Sequence, residues 1–334
     1  MVNDGGIMST LNVKKTIVEA VPFYSIRHET EPDFDIYFKL PDSEEAKKYK
    51  KLVQKGDLYC SGKRAALAKK NVSELFIRIE DRDSYMEYME KHLSAITQDA
   101  SIPLKEKSRT IYKNASKVLE KIFDKPEAKE NVSKVKNLVE NTIDVVLMDE
   151  RSIRSLIEVS SYDYYTYTHS VDVAVYAVGF GHFLGLGQDE LKKLGYSAMM
   201  HDIGKSKVPS DIINKKGILT PEEFEEVKLH PHHGFNIMKN LGENDPDILA
   251  GVKYHHEKFD GNGYPDRIQG EEIPFFAQII AISDVFSALS TKRAYKDAFS
   301  SFNALSTMKN EMTENFNPKL LLHFIKFMGQ HYAK

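Results

Sequence analysis

Eight of the twelve histidines lie between His169 and His256, a window of 88 residues in a chain of 334. Even spreading would put about three there. They fall singly or in small groups within segments of helical length and mostly apolar character. These are YTHSVDVAVYAV around His169, YSAMMHDIGK around His201, EEVKLHPHHG around His230 and GVKYHHE around His255. Asp284 is set in the same way, in FFAQIIAISDVFSAL. A carboxylate carried into an apolar core is costly unless it meets a cation or hydrogen-bond donors. The fold must therefore bring these segments together around something that satisfies their polar groups.

The rest of the C-terminal half agrees with helices. Segments 166–184, 188–203, 221–241, 246–257, 274–290, 300–313 and 318–332 have helical length and composition, and strong strand signals are absent. Thr220-Pro221-Glu222-Glu223 reads as a helix start, with Thr220 capping, Pro221 at the first helical position and Glu223 completing a capping box. Residues 159–334 are predicted to form an all-α domain of about seven helices.

The N-terminal part has another pattern. Val13, Thr16, Ile17 and Val18 open a strand. Phe34, Ile36 and Phe38 alternate with polar neighbours in a second, and Leu75–Ile79 forms a third. Residues 43–54 and 83–95 read as helices, and Gly56-Asp57 as a turn. This predicts a small α/β domain over residues 1–97, with a sensory or regulatory role. Residues 98–158 read as a helical connector. Within it Val132, Val135, Leu138, Val139, Ile143 and Val146 form an apolar stripe for packing on the second domain or on a partner chain. The predicted fold class is α+β overall.

Composition narrows the function. A net charge of −3 argues against a dedicated binder of nucleic-acid polymers. The one cysteine, Cys60, excludes an intrachain disulfide framework and fits a reducing compartment. No apolar run approaches the ~18 residues of a membrane span, and the N-terminal residues lack the pattern of a signal peptide. The expected location is cytoplasmic.

Imidazole and carboxylate suit iron, manganese and zinc, and a carboxylate can bridge two ions. His169, His201-Asp202, His230, His255-His256 and Asp284 lie on separate helices, the arrangement of a bundle that projects ligands inward. A zinc finger would need close-set pairs with cysteine. Lys205 follows His201 by four residues and Asp202 by three, so the three share a helical face. A cation there points to an anionic substrate, with phosphate the natural candidate. The turn Asp260-Gly261-Asn262-Gly263-Tyr264-Pro265 begins directly after the second doublet and could shape the mouth of a site.

Together these residues resemble the HD-GYP family of HD-domain phosphohydrolases. The matching stretches are His169, HDIGK at 201–205, LTPEEFEEVKLHP at 219–231, HHEKFDGNGYP at 255–265 and SDVFSALSTKRAYK at 283–296. The resemblance covers residues 155–330 and implies hydrolysis of cyclic di-GMP by an all-helical domain. It implies the metal ligands His169, His201, Asp202, His230, His255, His256 and Asp284, with Asp202 bridging two ions. It implies Lys205 on phosphate, Arg293 and Lys296 on the phosphates and guanine of the substrate, and Tyr264 at the site. The implied cofactors are two divalent ions, with iron favoured and manganese or zinc also accepted. The reading leaves room for a signalling partner at the GYP turn and for a homodimer.

Departures from the family pattern sharpen the expectations. Tyr165 stands where members with three metals carry glutamate, so two ions are expected rather than three. Ser287 stands where aspartate is common and is expected to alter guanine recognition. Phe259 replaces a usual tryptophan, and Lys207 replaces a common glycine near the site entrance. Two rival readings remain beside the phosphodiesterase. One is a degenerate member that binds metal and nucleotide as a sensor or docking module. The other is a di-iron oxygenase of the wider superfamily, which Lys205, Arg293 and the GYP turn disfavour.

Overall fold

The structure is a computed structural model and describes residues 18–40, 49–148, 150–160, 166–215, 217–291 and 298–332. The chain divides into two compact units after Asn114.

The first unit holds β1 (Val18–Pro22), β2 (Ile36–Lys39), β3 (Tyr49–Val53), α1 (Ser61–Ala68), β4 (Glu74–Arg78) and α2 (Arg82–Gln98). The strands form one antiparallel sheet in the order β1-β4-β2-β3. Leu75 and Ile77 of β4 are fully buried while their neighbours are less so, the period-two signature of a half-buried strand. Phe34 meets Tyr85 and Tyr88 of α2 edge-on.

The helix expected over residues 43–54 is corrected. Residues 41–48 lie outside the described residues, and Tyr49–Val53 is a strand paired with β2. Its lysines favour a helix in isolation, but the sheet supplies what a helix would not. Tyr49 and Val53 bury their side chains, and Lys51 reaches Asp35 at 2.8 Å. Tertiary pairing overrides local propensity here. The strand expected from Val13 is described only from Val18 onward.

The division falls within α3 (Leu104–Asp124). The second unit continues with α4 (Glu130–Met148), α5 (Glu150–Ser160), α6 (Thr166–Phe183), α7 (Gln188–Met200), α8 (Ser210–Ile213), α9 (Pro221–Val227), α10 (His230–Asn240), α11 (Pro246–Tyr254), α12 (Phe275–Ser290), α13 (Ser301–Glu311) and α14 (Pro318–Tyr332). The whole is α+β, with the sheet confined to the N-terminal unit. Helix α6 is apolar on nearly every side. Val171, Val173, Val175, Val178 and Phe180 are all buried, and the helix packs against both α7 and α12. Helix α11 packs against α7, α10 and α12. The stripe of α4 buries Val135, Leu138, Val139, Ile143 and Val146, and the helix lies against α7.

The single helix expected over 221–241 is two, α9 and α10, separated at Lys228-Leu229. Pro231 lacks the N–H that a continuous helix would need and suits the first turn of a new one. The Thr220 capping box forms as expected, with Thr220 and Glu223 exchanging hydrogen bonds. Among the described residues, no helix is long and apolar enough to cross a membrane.

Candidate metal centre

The seven side chains singled out in the sequence converge. His169 projects from α6 and Asp284 from α12. His201 ends α7, and Asp202 opens a short 3-10 turn (Ile203–Lys207). His230 begins α10, His255 ends α11, and His256 follows it. Their donor atoms fall into two groups, Asp202/His230/His255/His256 and His169/His201/Asp284. Within each group, one donor atom per residue lies within 4.8 Å of the others.

Asp202 connects the two groups. Its Oδ1 is 3.3 Å from His230 Nε2 and 3.9 Å from His255 Nε2, while its Oδ2 is 3.4 Å from His201 Nε2. One carboxylate oxygen thus faces one group and the second faces the other.

Helix ends orient three of the rings. The last carbonyls of a helix have no helical partner. His201 Nδ1 meets Ala198 O at 2.7 Å, His230 Nδ1 meets Val227 O at 2.7 Å, and His255 Nδ1 meets Val252 O at 2.8 Å. A carbonyl can only accept, so each Nδ1 donates. In the neutral ring, each Nε2 then carries a lone pair and points inward.

Electrostatics sets the protonation. Burial lowers the pKa of His230 and takes that of His255 well below the ordinary histidine value. Burial pushes His256 down to about 3. Asp202 is held well below the usual carboxylate range, because Lys205 and the surrounding imidazoles outweigh its burial. Asp284 is also lowered, its contact with His169 outweighing burial, while burial keeps His169 low and neutral. At neutral pH His169, His230, His255 and His256 are neutral imidazoles beside two carboxylates.

That state leaves a conflict that a cation resolves. His230 Nε2 and His255 Nε2 lie 3.2 Å apart with lone pairs facing. His201 Nε2 and Asp202 Oδ1 are buried without a hydrogen-bond partner. Two opposed acceptors and two buried unsatisfied groups are expensive in a protein interior. Divalent ions would satisfy all four, so the donor set fits a metal pair.

Lys205 Nζ sits 2.5 Å from Asp202 Oδ2. The shared helical face expected from its spacing is present, and its ammonium lies on the Asp202 carboxylate. Lys207 pairs with Glu127 at 2.7 Å. His232 lies 3.7 Å from Asp266 and stands outside both groups, and His182 is exposed. Tyr165, Arg293 and Lys296 lie outside the described residues.

The GYP turn closes one side. The Tyr264 ring lies 4.7 Å from that of His256, tilted by 30°. Burial keeps its hydroxyl protonated. The turn is held by Glu257, which the sequence reading did not single out. Glu257 is 3% exposed, and its Oε1 accepts the backbone N–H of Asp266 at 2.7 Å and of Arg267 at 2.9 Å. The available signal was its place between the His doublet and a turn rich in backbone donors. Gly263 lets the turn fold onto that segment. A Cβ there would stand 2.3 Å from Lys258 N and 2.5 Å from Glu257 Cα. Gly263→Ala is expected to cost ~1–3 kcal/mol by overpacking, read as a lowered melting temperature. An unchanged melting temperature would show that the turn yields freely.

Ser287 is fully buried in α12, and its Oγ lies 3.0 Å from His169 Nδ1. One helical turn separates it from Asp284, so it shares the face that meets α6.

Residues 125–320 match the model of the family described as HD domain. A cyclic di-GMP phosphodiesterase of Pseudomonas aeruginosa is 32% identical over 193 residues, 58% of this chain and 46% of that protein. A 3′3′-cGAMP-specific phosphodiesterase of Vibrio cholerae is 34% identical over 157 residues, 47% of this chain and 30% of that protein. The matches thus span less than half the length of these two relatives. An HDG"Y"P protein from Bdellovibrio bacteriovorus shares the fold, with a TM-score of 0.66 at 16% identity, over 93% of this chain and 99% of that one.

Proposed function

The chain belongs to the HD domain family, in its HD-GYP branch, and on that premise we propose that it is a metal-dependent phosphodiesterase of cyclic dinucleotides. The observation that supports this most is the pair of donor groups with Asp202 between them, its Oδ1 toward His230 and its Oδ2 toward His201, and the Nε2 atoms of His230 and His255 opposed at 3.2 Å. The reading takes two divalent ions, one per group; so imidazole-rich a set accepts iron, manganese or zinc, and the family resemblance favours iron. Cyclic di-GMP is the first substrate to test and 3′3′-cGAMP the second, in line with the names of the two relatives above.

Bound divalent ions would supply Lewis acidity and make water acidic enough to act as a nucleophile near neutral pH. The protein's own part is positional and electrostatic. Asp202 keeps the two groups at a fixed separation and brings negative charge to both. The carbonyls of Ala198, Val227 and Val252 hold three imidazoles with Nε2 inward. Lys205 is 20% exposed, so its ammonium can serve both Asp202 and a phosphate oxygen arriving from solvent. Tyr264 walls the site beside His256 and offers an aromatic face to a base. Arg293 and Lys296 complete the proposed substrate contacts, and the N-terminal unit is assigned a regulatory role.

The test is hydrolysis of cyclic di-GMP by protein purified without oxygen and analysed for metal content. We expect two ions per chain and turnover that a chelator abolishes. Metal-loaded protein that binds the dinucleotide but does not cleave it would establish the sensor reading instead. Lys205→Ala is expected to keep its metal and its fold while hydrolysis falls roughly 10²–10³-fold. Lys205→Arg should restore only part, because a planar guanidinium is a poor copy of a compact ammonium. Turnover equal to the parent in Lys205→Ala would remove this lysine from the chemistry.

A further inference from the structure

Three of the site histidines are oriented by backbone carbonyls at helix ends, and His169 is not. It lies inside α6, where carbonyls are committed to the helical ladder. Its Nδ1 instead meets a side chain from another helix, Ser287 Oγ of α12, at 3.0 Å. Its Nε2 meets Asp284 Oδ1 at 2.8 Å.

We propose that Ser287 is the positioning residue of His169 and sets the affinity of the His169/His201/Asp284 group for its ion. The proposal rests on the metal-pair reading above. The chemistry follows from what a hydroxyl can do. Without an ion, neutral His169 donates Nε2–H to Asp284, and Nδ1 accepts the Ser287 O–H. To ligate through Nε2, the proton must sit on Nδ1, and Nδ1–H then donates to the Ser287 oxygen. A carbonyl would allow only the second state, whereas a hydroxyl serves both by rotating about its C–O bond. Ser287 thus keeps the ring in one orientation through the change of tautomer.

The surroundings leave Ser287 little other purpose. It is fully buried, so it meets no solvent, and its neighbour Phe286 packs against Tyr176 and Phe324. The His169 ring also meets the His201 ring edge-on, centroids 5.6 Å apart. Outer partners of metal-bound imidazoles typically carry 10–100-fold in affinity.

The test uses the full chain and Zn²⁺ as probe, titrated by calorimetry into metal-free parent, Ser287→Ala and Ser287→Thr. We expect two binding events in the parent. In Ser287→Ala one of them should weaken by roughly 10–100-fold while the other is unchanged. Ser287→Thr, which keeps the hydroxyl, should restore the lost affinity. In the zinc-loaded parent, the ¹⁵N spectrum should show the His169 proton on Nδ1 with a shift that moves in Ser287→Ala. A general loss of packing would weaken both events together and would not return with threonine, and that result overturns the proposal. Two unchanged affinities in Ser287→Ala overturn it while leaving the metal-pair reading in place. A parent that binds no divalent ion overturns both.

Discussion

Asp202→Ala is expected to empty both halves of the metal centre. Asp202 is 1% exposed, and its two oxygens face different donor groups. Removing it takes the shared negative charge from between five imidazoles. It leaves Asp284 as the one carboxylate among the six remaining donors. It also strands Lys205, whose ammonium would face the former ion positions without its partner. The loss in affinity should exceed the ~100-fold that follows loss of an outer partner, because on the two-ion reading a direct ligand to both ions would be gone. Turnover should fall to background. Folding should also register the change, since a ligand that binds only the native state stabilises it by about 2.7 kcal/mol at a hundred times its dissociation constant. Added Zn²⁺ or Mn²⁺ should raise the melting temperature of the parent and leave Asp202→Ala unmoved. Asp202→Asn separates charge from shape, since it fills the same space and should behave like the alanine variant. Two ions bound at parental affinity in either variant would show that Asp202 does not join the groups.

The second large effect is expected from a residue that ligates nothing. Gly204 lies two residues after Asp202, where the 3-10 turn runs against the start of α10. A Cβ built on Gly204 would fall 1.9 Å from His230 O and 2.4 Å from Gly234 N. Both are backbone atoms, so no side-chain rotamer can relieve the clash. Gly204→Ala must push the turn and α10 apart, and these carry Asp202 and His230 respectively. Their 3.3 Å separation is part of the candidate centre. The cost should reach or exceed ~3 kcal/mol, the upper end of ordinary overpacking. It should appear both as a lower melting temperature without metal and as weakened binding of the Asp202/His230/His255/His256 ion. Zinc affinity should distinguish this from simple destabilisation. A variant that melts early yet binds zinc as the parent does would show that the strain is absorbed away from the centre.

The two positions differ in how much the sequence alone reveals. Asp202 stood out as an ionisable side chain beside a histidine, in a helix that offered it no solvent. Gly204 could be read only as the end of that helix. Nothing in HDIGK announces that the glycine touches a backbone 26 residues away, because a close approach leaves no mark of residue type except the missing Cβ. Lys205 lies between these cases. Its spacing put it on the face of His201 and Asp202, but only the folded chain shows its ammonium resting on the carboxylate shared by both groups.

By itself the sequence determined the fold class and the identity of the candidate donors. Metal chemistry demands imidazoles and carboxylates, apolar helices otherwise exclude them, and their coincidence is visible one residue at a time. The tertiary structure decided what depends on distance between segments. It sorted seven donors into two groups, because which helices pack side by side is set by contacts between segments distant in sequence. It turned the lysine-rich Tyr49–Val53 into a strand, because pairing with β2 outweighs local preference. It placed Ser287 against His169, because a one-turn step along α12 from Asp284 points the same way, into α6.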